Sequence, residues 1–422
     1  MKDSGIDWIG KIPDEWTTRQ IRYLFEFRDE RNYKPLSEVN LISVYTDKGV
    51  LQHSDIEQTT GNKAQNADGY KHVYKNDLVV NIILCWMGAL GISDFDGVTS
   101  PAYDVYSPKN LDLIFPKYYH YLFRTPQFNG KCYTEGRGIM QMRWRTYSSE
   151  FKSIKIPLPP LSEQTKIANF LDKKCAQIDS IIEESKKSIE EYKSWKQSVI
   201  FEAVTGKNLS CKKKDTCIEW LGEIPETWEV RALKTIFRIF SGTTPKSDRT
   251  EYWDGNVKWI TPADFKTEDV YVENGKRNIS ENGFSDCSLE LIPINNLVFS
   301  KRAPIGKVCI NKNEMCTNQG CLACVKKINL SIKFFYYLLS SLTEYFEVLG
   351  SGTTFKEISL TSFSDFKVLF PPLSEQKSIA KFLDTKCAQI DSLISEKQSL
   401  IKDLAEYKKS LIFDAVTGKR RM

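Results

Sequence analysis

Cys309, Cys316, Cys321 and Cys324 are four thiols close together in the chain, and a Cys-x-x-Cys pair with two more thiols nearby could hold a tetrahedral zinc ion. The same stretch also reads as strand, because "KVCI" and "CLACV" alternate or run apolar as buried strands do. Strand packing explains more of the neighbouring residues, so no metal is expected. The odd total of 11 cysteines has no small-domain spacing, which points to reduced thiols. The three histidines, His53, His72 and His120, have neither ligand nor triad spacing. Gly206-Lys207 and Gly306-Lys307 lack the upstream glycine and the following hydroxyl of a phosphate loop. The Pro-Pro pairs sit in "LPPL" and "FPPL", outside any Asn/Asp-Pro-Pro-aromatic signature of amino-methyltransferases. No catalytic kit is recognisable, which favours binding over turnover, with no cofactor held by this chain.

The residues best suited to binding are cations and amides. "GRGIMQMRWRT" brings Arg137, Gln141, Arg143, Trp144 and Arg145 into one short stretch. Arg and Gln can each make paired hydrogen bonds to guanine and adenine edges. The competing reading is an amphipathic strand with its cations in water. Farther on, "SGTTPKSDR" supplies Lys246 and Arg249, and "SKRAPIG" supplies Lys301 and Arg302.

The elements that must position these residues are written twice. "PPLSEQTKIANFLDKKCAQIDS…AVTGK" (159–207) recurs without gaps at 371–419, with 30 of 49 positions identical. The period of 212 returns upstream, where "DWIGKIPDEWTTRQ" at Asp7 matches "EWLGEIPETWEVRA" at Glu219. Between these ends the halves share little beyond strand-like texture. Each repeated tail reads as one helix, N-capped by Ser162 or Ser374 and stopped at Gly206 or Gly418. Leu171, Cys175, Ile178, Ile182 and Ile189 mark a four-three seam, matched by Leu383, Cys387, Ile390, Ile394 and Ile401. Ser185 and Lys196 interrupt the first seam, and Lys397 and Lys408 interrupt the second. Mutual antiparallel packing would cover both stripes and set the two heads at opposite ends; folding back on the parent domain is the alternative.

The expected architecture is α+β: two globular heads joined by two long helices in an antiparallel coiled coil, a pseudo-two-fold internal repeat. Boundaries fall at 1–158 and 209–370 for the heads, and at 159–208 and 371–422 for the helices. "LVVNIILCWMGALGI" reads as two buried strands around a turn, while "PKYYHYLFRTPQF" and "IKFFYYLLSSLTEYF" read as helices with their rings in the core. Trp8, Trp16, Trp220 and Trp228 read as core anchors. Net charge is +5 in all, but residues 151–214 carry +5 and 371–422 carry +3, leaving the heads slightly acidic. Bulk charge therefore does not mark the heads as nucleic-acid binders. No leader or membrane-length apolar run is present, so a soluble cytoplasmic protein is expected.

Two divergent halves, each opened by W-[IL]-G-x-I-P-x-x-W and closed by PPLSEQ…FLD…QID and AVTGK, resemble the specificity subunits of type I restriction–modification enzymes. "DLVVNIILCWMGALGISDFDGVTSPAY" resembles one class of target recognition domain; "SGTTPKSDRTEYWDGNVKWIT" with "RAPIGKV" and "TNQG" resembles another. The resemblance covers essentially the whole chain. It implies a non-catalytic subunit whose heads read the two parts of a split, asymmetric sequence in double-stranded DNA. It further implies that the helices space the heads and dock two methyltransferase subunits, joined by two restriction subunits. By the same likeness, "SKRAPIG" becomes a frame element, with phosphate contact favoured over base reading for Lys301 and Arg302. A DNA binder acting without a methyltransferase, and a pure scaffold, are the other function classes.

Overall fold

The computed structural model describes residues 1–55, 66–138, 144–218, 221–265, 269–350 and 356–421. It divides into two compact units, Met1–Lys186 with Gln398–Met422, and Lys187–Lys397. Each unit thus takes part of both long helices.

In unit 1 a four-stranded antiparallel sheet runs in the order Phe25–Arg28, Tyr103–Pro108, Leu78–Asn81, Leu90–Ile92. The period of two in "LVVN" decides what each face covers. Leu78 and Val80 pack toward the helices Pro116–Phe123 and Pro126–Glu135, with Tyr119, Phe123 and Phe128. Val79 packs on the opposite face with Ile42, Val44, Val50 and Val73, from the strand pairs that cover it. Unit 2 repeats the plan with five strands, in the order Phe237–Ser241, Cys321–Lys326, Leu297–Ser300, Val308–Asn311, Tyr271–Val272. Leu297, Phe299, Leu322 and Cys324 face the helices, while Val298, Cys309, Cys321 and Ala323 face the other layer. The four clustered thiols are therefore strand residues with buried side chains, and burial pushes the Cys316 thiol up to about 12. The first four strands of the two sheets correspond in order, although their sequences no longer do.

The long helices span Leu161–Thr205 and Leu373–Val416. Within unit 1, Ile167, Leu171 and Ile178 of the first pack with Leu411, Ala415 and Val416 of the second. Asp179 pairs with Lys408 at 2.6 Å there, and Arg420 lies over the Phe170 ring, so residue numbers rise in one strand of the pair as they fall in the other. Within unit 2, Ala203 and Val204 share a core with Ala380, Leu383 and Cys387, and Lys196 pairs with Asp391 at 2.7 Å. The pairing within each unit is antiparallel, as expected. Lys196 and Lys408, seam breaks by sequence, are thus the cationic halves of two equivalent interhelical ion pairs. Ile189 and Ile390 are buried, while Ile182, Ile394 and Ile401 are partly buried.

Both helices begin one residue before the expected serine cap. Gln164, not Ser162, ties down the first start: its Nε2 donates to Pro159 O and Leu113 O, and its Oε1 accepts from Phe115 N. Gln376 does the same for the second, donating to Pro371 O and accepting from Ser331 N. Both glutamines are fully buried and anchor each start to the neighbouring backbone, while the first helical N–H groups bond the Pro160 and Pro372 carbonyls instead of a serine hydroxyl. Among the described residues, no helix is long and apolar enough to cross a membrane.

Candidate nucleic-acid interface

The repeated words at the two ends of each half meet in space. Trp16 Nε1 donates to Glu163 Oε2 at 2.6 Å, and Trp228 Nε1 to Glu375 Oε2 at 2.8 Å. Asp172 accepts from Tyr121 OH at 2.7 Å and pairs with Lys117; Asp384 accepts from Tyr337 OH at 2.8 Å and pairs with Lys333. The AVTGK words close these clasps in exchanged fashion. Gly418, at the end of the second helix, packs on Pro13 and Trp16 of unit 1, while Gly206, at the end of the first, packs on Pro225 and Trp228 of unit 2. Both glycines have left-handed backbones (φ 70° and 69°), and a Cβ on either would collide with the facing proline ring. Trp16 and Trp228 are buried core anchors, as read; Trp8 is partly buried against Phe128, and Trp220 lies outside the described residues.

What this frame holds out differs between the units. In unit 1, Arg137 and Arg145 exchange backbone hydrogen bonds; residues 139–143 between them, including Gln141 and Arg143, lie outside the described residues. Arg137 pairs with Glu150 and lies over the Tyr147 ring. A hydrogen bond from Ser149 and the Arg137 charge hold the Glu150 carboxyl below the usual range. Among the described residues Arg145 has no ion pair. Trp144 is fixed, its Nε1 donating to Tyr133 O at 3.0 Å and its ring stacked on Tyr133. Thr146 N donates to Ile82 O, which joins this stretch to the turn after the central strand.

In unit 2 the corresponding turn carries Lys301 and Arg302. Ile358 N donates to Lys301 O, matching the bond from Thr146 to Ile82. Lys301 and Arg302 both bind Glu357, at 2.8 and 2.7 Å, and the Lys301 side chain is only 11% exposed. Burial alone would raise the Glu357 carboxyl; its two cations outweigh that and hold it low. Lys301 is built into the loop, while Arg302, 44% exposed, retains an open face. Lys246 and Arg249 sit on an exposed loop whose path is set by two indoles, Trp253 Nε1 donating to Lys246 O and Trp259 Nε1 to Thr243 O. Arg249 faces Glu251 and the Tyr252 ring. The two stretches meet at one turn, where Thr244 Oγ1 donates to Gln319 Oε1 and Lys301 N to Gly320 O.

Outside the seam, each long helix also carries an apolar stripe that the sequence reading did not separate from it. Phe382, Leu393, Leu400 and Tyr407 are 38–51% exposed, and their spacings of 11, 7 and 7 keep them on one helical face. Ile181 and Trp195 repeat it on the first helix at the 212-residue period, 43% and 49% exposed. The heptad count carried that signal, but a two-stranded pair leaves it unexplained.

The profile of the family described as "Type I restriction modification DNA specificity domain" matches residues 13–191 and 225–403, the same period again. The type I restriction enzyme MjaIX specificity subunit of Methanocaldococcus jannaschii is 35% identical over 42% of this chain and 41% of its own length. A chain from that organism, provisionally named the type I restriction enzyme MjaX specificity subunit, is 28% identical over 98% of this chain and 96% of its own. A solved structure from work on complex assembly and conformational transition of the type I R-M system superposes with a TM-score of 0.75 at 18% identity, covering 97% of this chain and 100% of that one. With both halves matched and the fold shared end to end, the chain belongs to the type I restriction modification DNA specificity domain family.

Proposed function

We propose that this chain is the non-catalytic DNA specificity subunit of a type I restriction–modification system, acting in the cytoplasm where chromosomal DNA is reached. Unit 1 reads one part of a split, asymmetric target through Arg145, Trp144 and the loop between Arg137 and Arg145. Unit 2 reads the other through the loops bearing Lys246, Arg249 and Arg302. The observation that carries this is a duplicated set of clasps holding unlike loops at corresponding positions. One frame presents two surfaces, so two different half-sites can be read. The outward stripe, present on both helices, supports two copies of one partner, the adenine methyltransferase subunit. Two restriction subunits would complete the assembly. Methyl transfer and strand cleavage, with S-adenosylmethionine and ATP, belong to those partners.

Mapping methylated adenines in the host genome, with and without this gene, tests the reading. A bipartite motif that vanishes with the gene is expected. Methylation unchanged by its loss would refute it. Failure to co-purify with a methyltransferase would favour a DNA binder that acts alone.

A further inference from the structure

The turn after the central strand of each sheet is the place where the units differ most in chemistry. In unit 2 it bears Lys301 and Arg302 before Gly306; in unit 1 it bears Leu84 and Met87 before Gly88, and both glycines have positive φ. Leu84 is 37% and Met87 50% exposed, at the tip of a turn that is not free to collapse. Asn81 Oδ1 accepts from Ile83 N and Leu84 N, Trp86 Nε1 donates to Ile83 O, and Gly88 N donates to Cys85 O. An exposed apolar tip held this rigidly has no role in the core beneath it.

Beside the tip a shallow cleft of about 480 Å³ is lined by Trp86, Met87, Pro126, Asn129, Gly130 and Tyr133. Trp86 lies 5.4 Å from Tyr133, which stacks on Trp144 at 4.9 Å with planes 23° apart. Both indole N–H groups are spent on backbone carbonyls, so the rings offer a partner their faces. Asn129 Oδ1 is buried beneath the cleft and has no hydrogen-bond partner among the described residues. The cleft is continuous with the cationic stretch through the Tyr133–Trp144 stack and the bond from Thr146 to Ile82. Ring faces, a flexible thioether and Arg145, without an ion pair among the described residues, together fit a nucleobase beside a phosphate backbone.

We infer that Leu84, Met87 and the Trp86–Tyr133 cleft contact the bases of the half-site read by unit 1. Apolar contact loosens a base from its stack, and the ring faces receive it. This rests on the DNA-reading function proposed above. The test uses the full chain co-purified with its methyltransferase and duplexes of the mapped motif, with 2-aminopurine placed in turn along the unit 1 half-site. Leu84→Ser with Met87→Ser and, separately, Tyr133→Ser change exposed side chains, and unchanged thermal midpoints would establish that they fold. Expected are a ten- to hundred-fold loss of affinity and loss of a 2-aminopurine emission change that the unaltered protein produces at one or two positions. Unchanged affinity and emission would overturn the inference, as would loss of the methyltransferase with DNA contact intact, which would make the cleft a protein interface. If the unaltered complex binds no duplex, the DNA-reading function itself fails, and the inference with it.

Discussion

Replacing Gly418 by alanine is the sharpest probe of how unit 1 is closed. The residue has φ 70°, a region that costs a non-glycine residue about 1–2 kcal/mol. The new Cβ would lie 2.3 Å from Pro13 Cδ, 2.5 Å from Pro13 Cγ and 3.0 Å from Trp16 Cη2. A proline ring and a buried indole cannot swing aside, so overpacking adds about 1–3 kcal/mol. The total is about 2–5 kcal/mol, or a fall of roughly 5–20 °C in the melting of a unit of this size. The matched change Gly206→Ala brings Cβ only to 2.8 Å from Pro225, so it should cost less and act on unit 2. Calorimetry resolves the melting of the units, and hydrogen exchange across residues 408–417 reports whether the helix end has come away. Wild-type melting of Gly418→Ala, or a larger loss from Gly206→Ala, would refute the claim that these ends are held by close packing.

Arg145→Ala should cut discrimination at the unit 1 half-site by about 1–3 kcal/mol if it reads a base, measured by competition between duplexes; an equal loss on every sequence would assign it to phosphate. Matched four-residue insertions near Ser185 and Lys397 add roughly one turn, about 6 Å, to both helices; methylation mapping should show the gap between half-sites longer by one or two base pairs of about 3.4 Å each, with the half-sites unchanged. His120 is half-buried beside Arg124, and desolvation followed by that charge lowers its pKa to about 4. The unfolded chain, with an imidazole near 6.5, then binds the extra proton between those values, so unit 1 should lose on the order of 3 kcal/mol as pH falls from about 6.5 to 4, with no further loss from this group below that. Denaturant melts of wild type and His120→Asn across that range check it, and identical slopes would refute it.

Much of the frame was legible because duplication writes it twice. The long helices, their antiparallel seam, the buried strands around Leu78–Ile92 and the aromatic core helices all follow from periodicity. What escaped was anything requiring two distant words to meet. Gly418 shows nothing locally to tie it to Pro13, because the closure crosses nearly the whole chain. Lys196 and Lys408 looked like flaws in the seam until Asp391 and Asp179 appeared opposite them. Lys301 and Arg302 read as open cations because Glu357, their common partner, is remote in sequence. The helix starts were misplaced onto Ser162 and Ser374 because the Pro160 and Pro372 carbonyls take the first helical N–H groups, which leaves no cap motif in the sequence. Leu84 and Met87 were absorbed into an apolar run whose flanks are core; only the turn geometry separates them.

The exchanged helix ends impose an order on synthesis. Unit 2 is assembled from residues 187–397, so all of it has been synthesised before residues 398–422 are made. Unit 1 needs residues 398–422 and cannot close until they are made, although residues 1–186 precede all of unit 2. A premature stop just after Lys397 would therefore injure the reader built on residues 1–186 and spare the one that ends at the lesion.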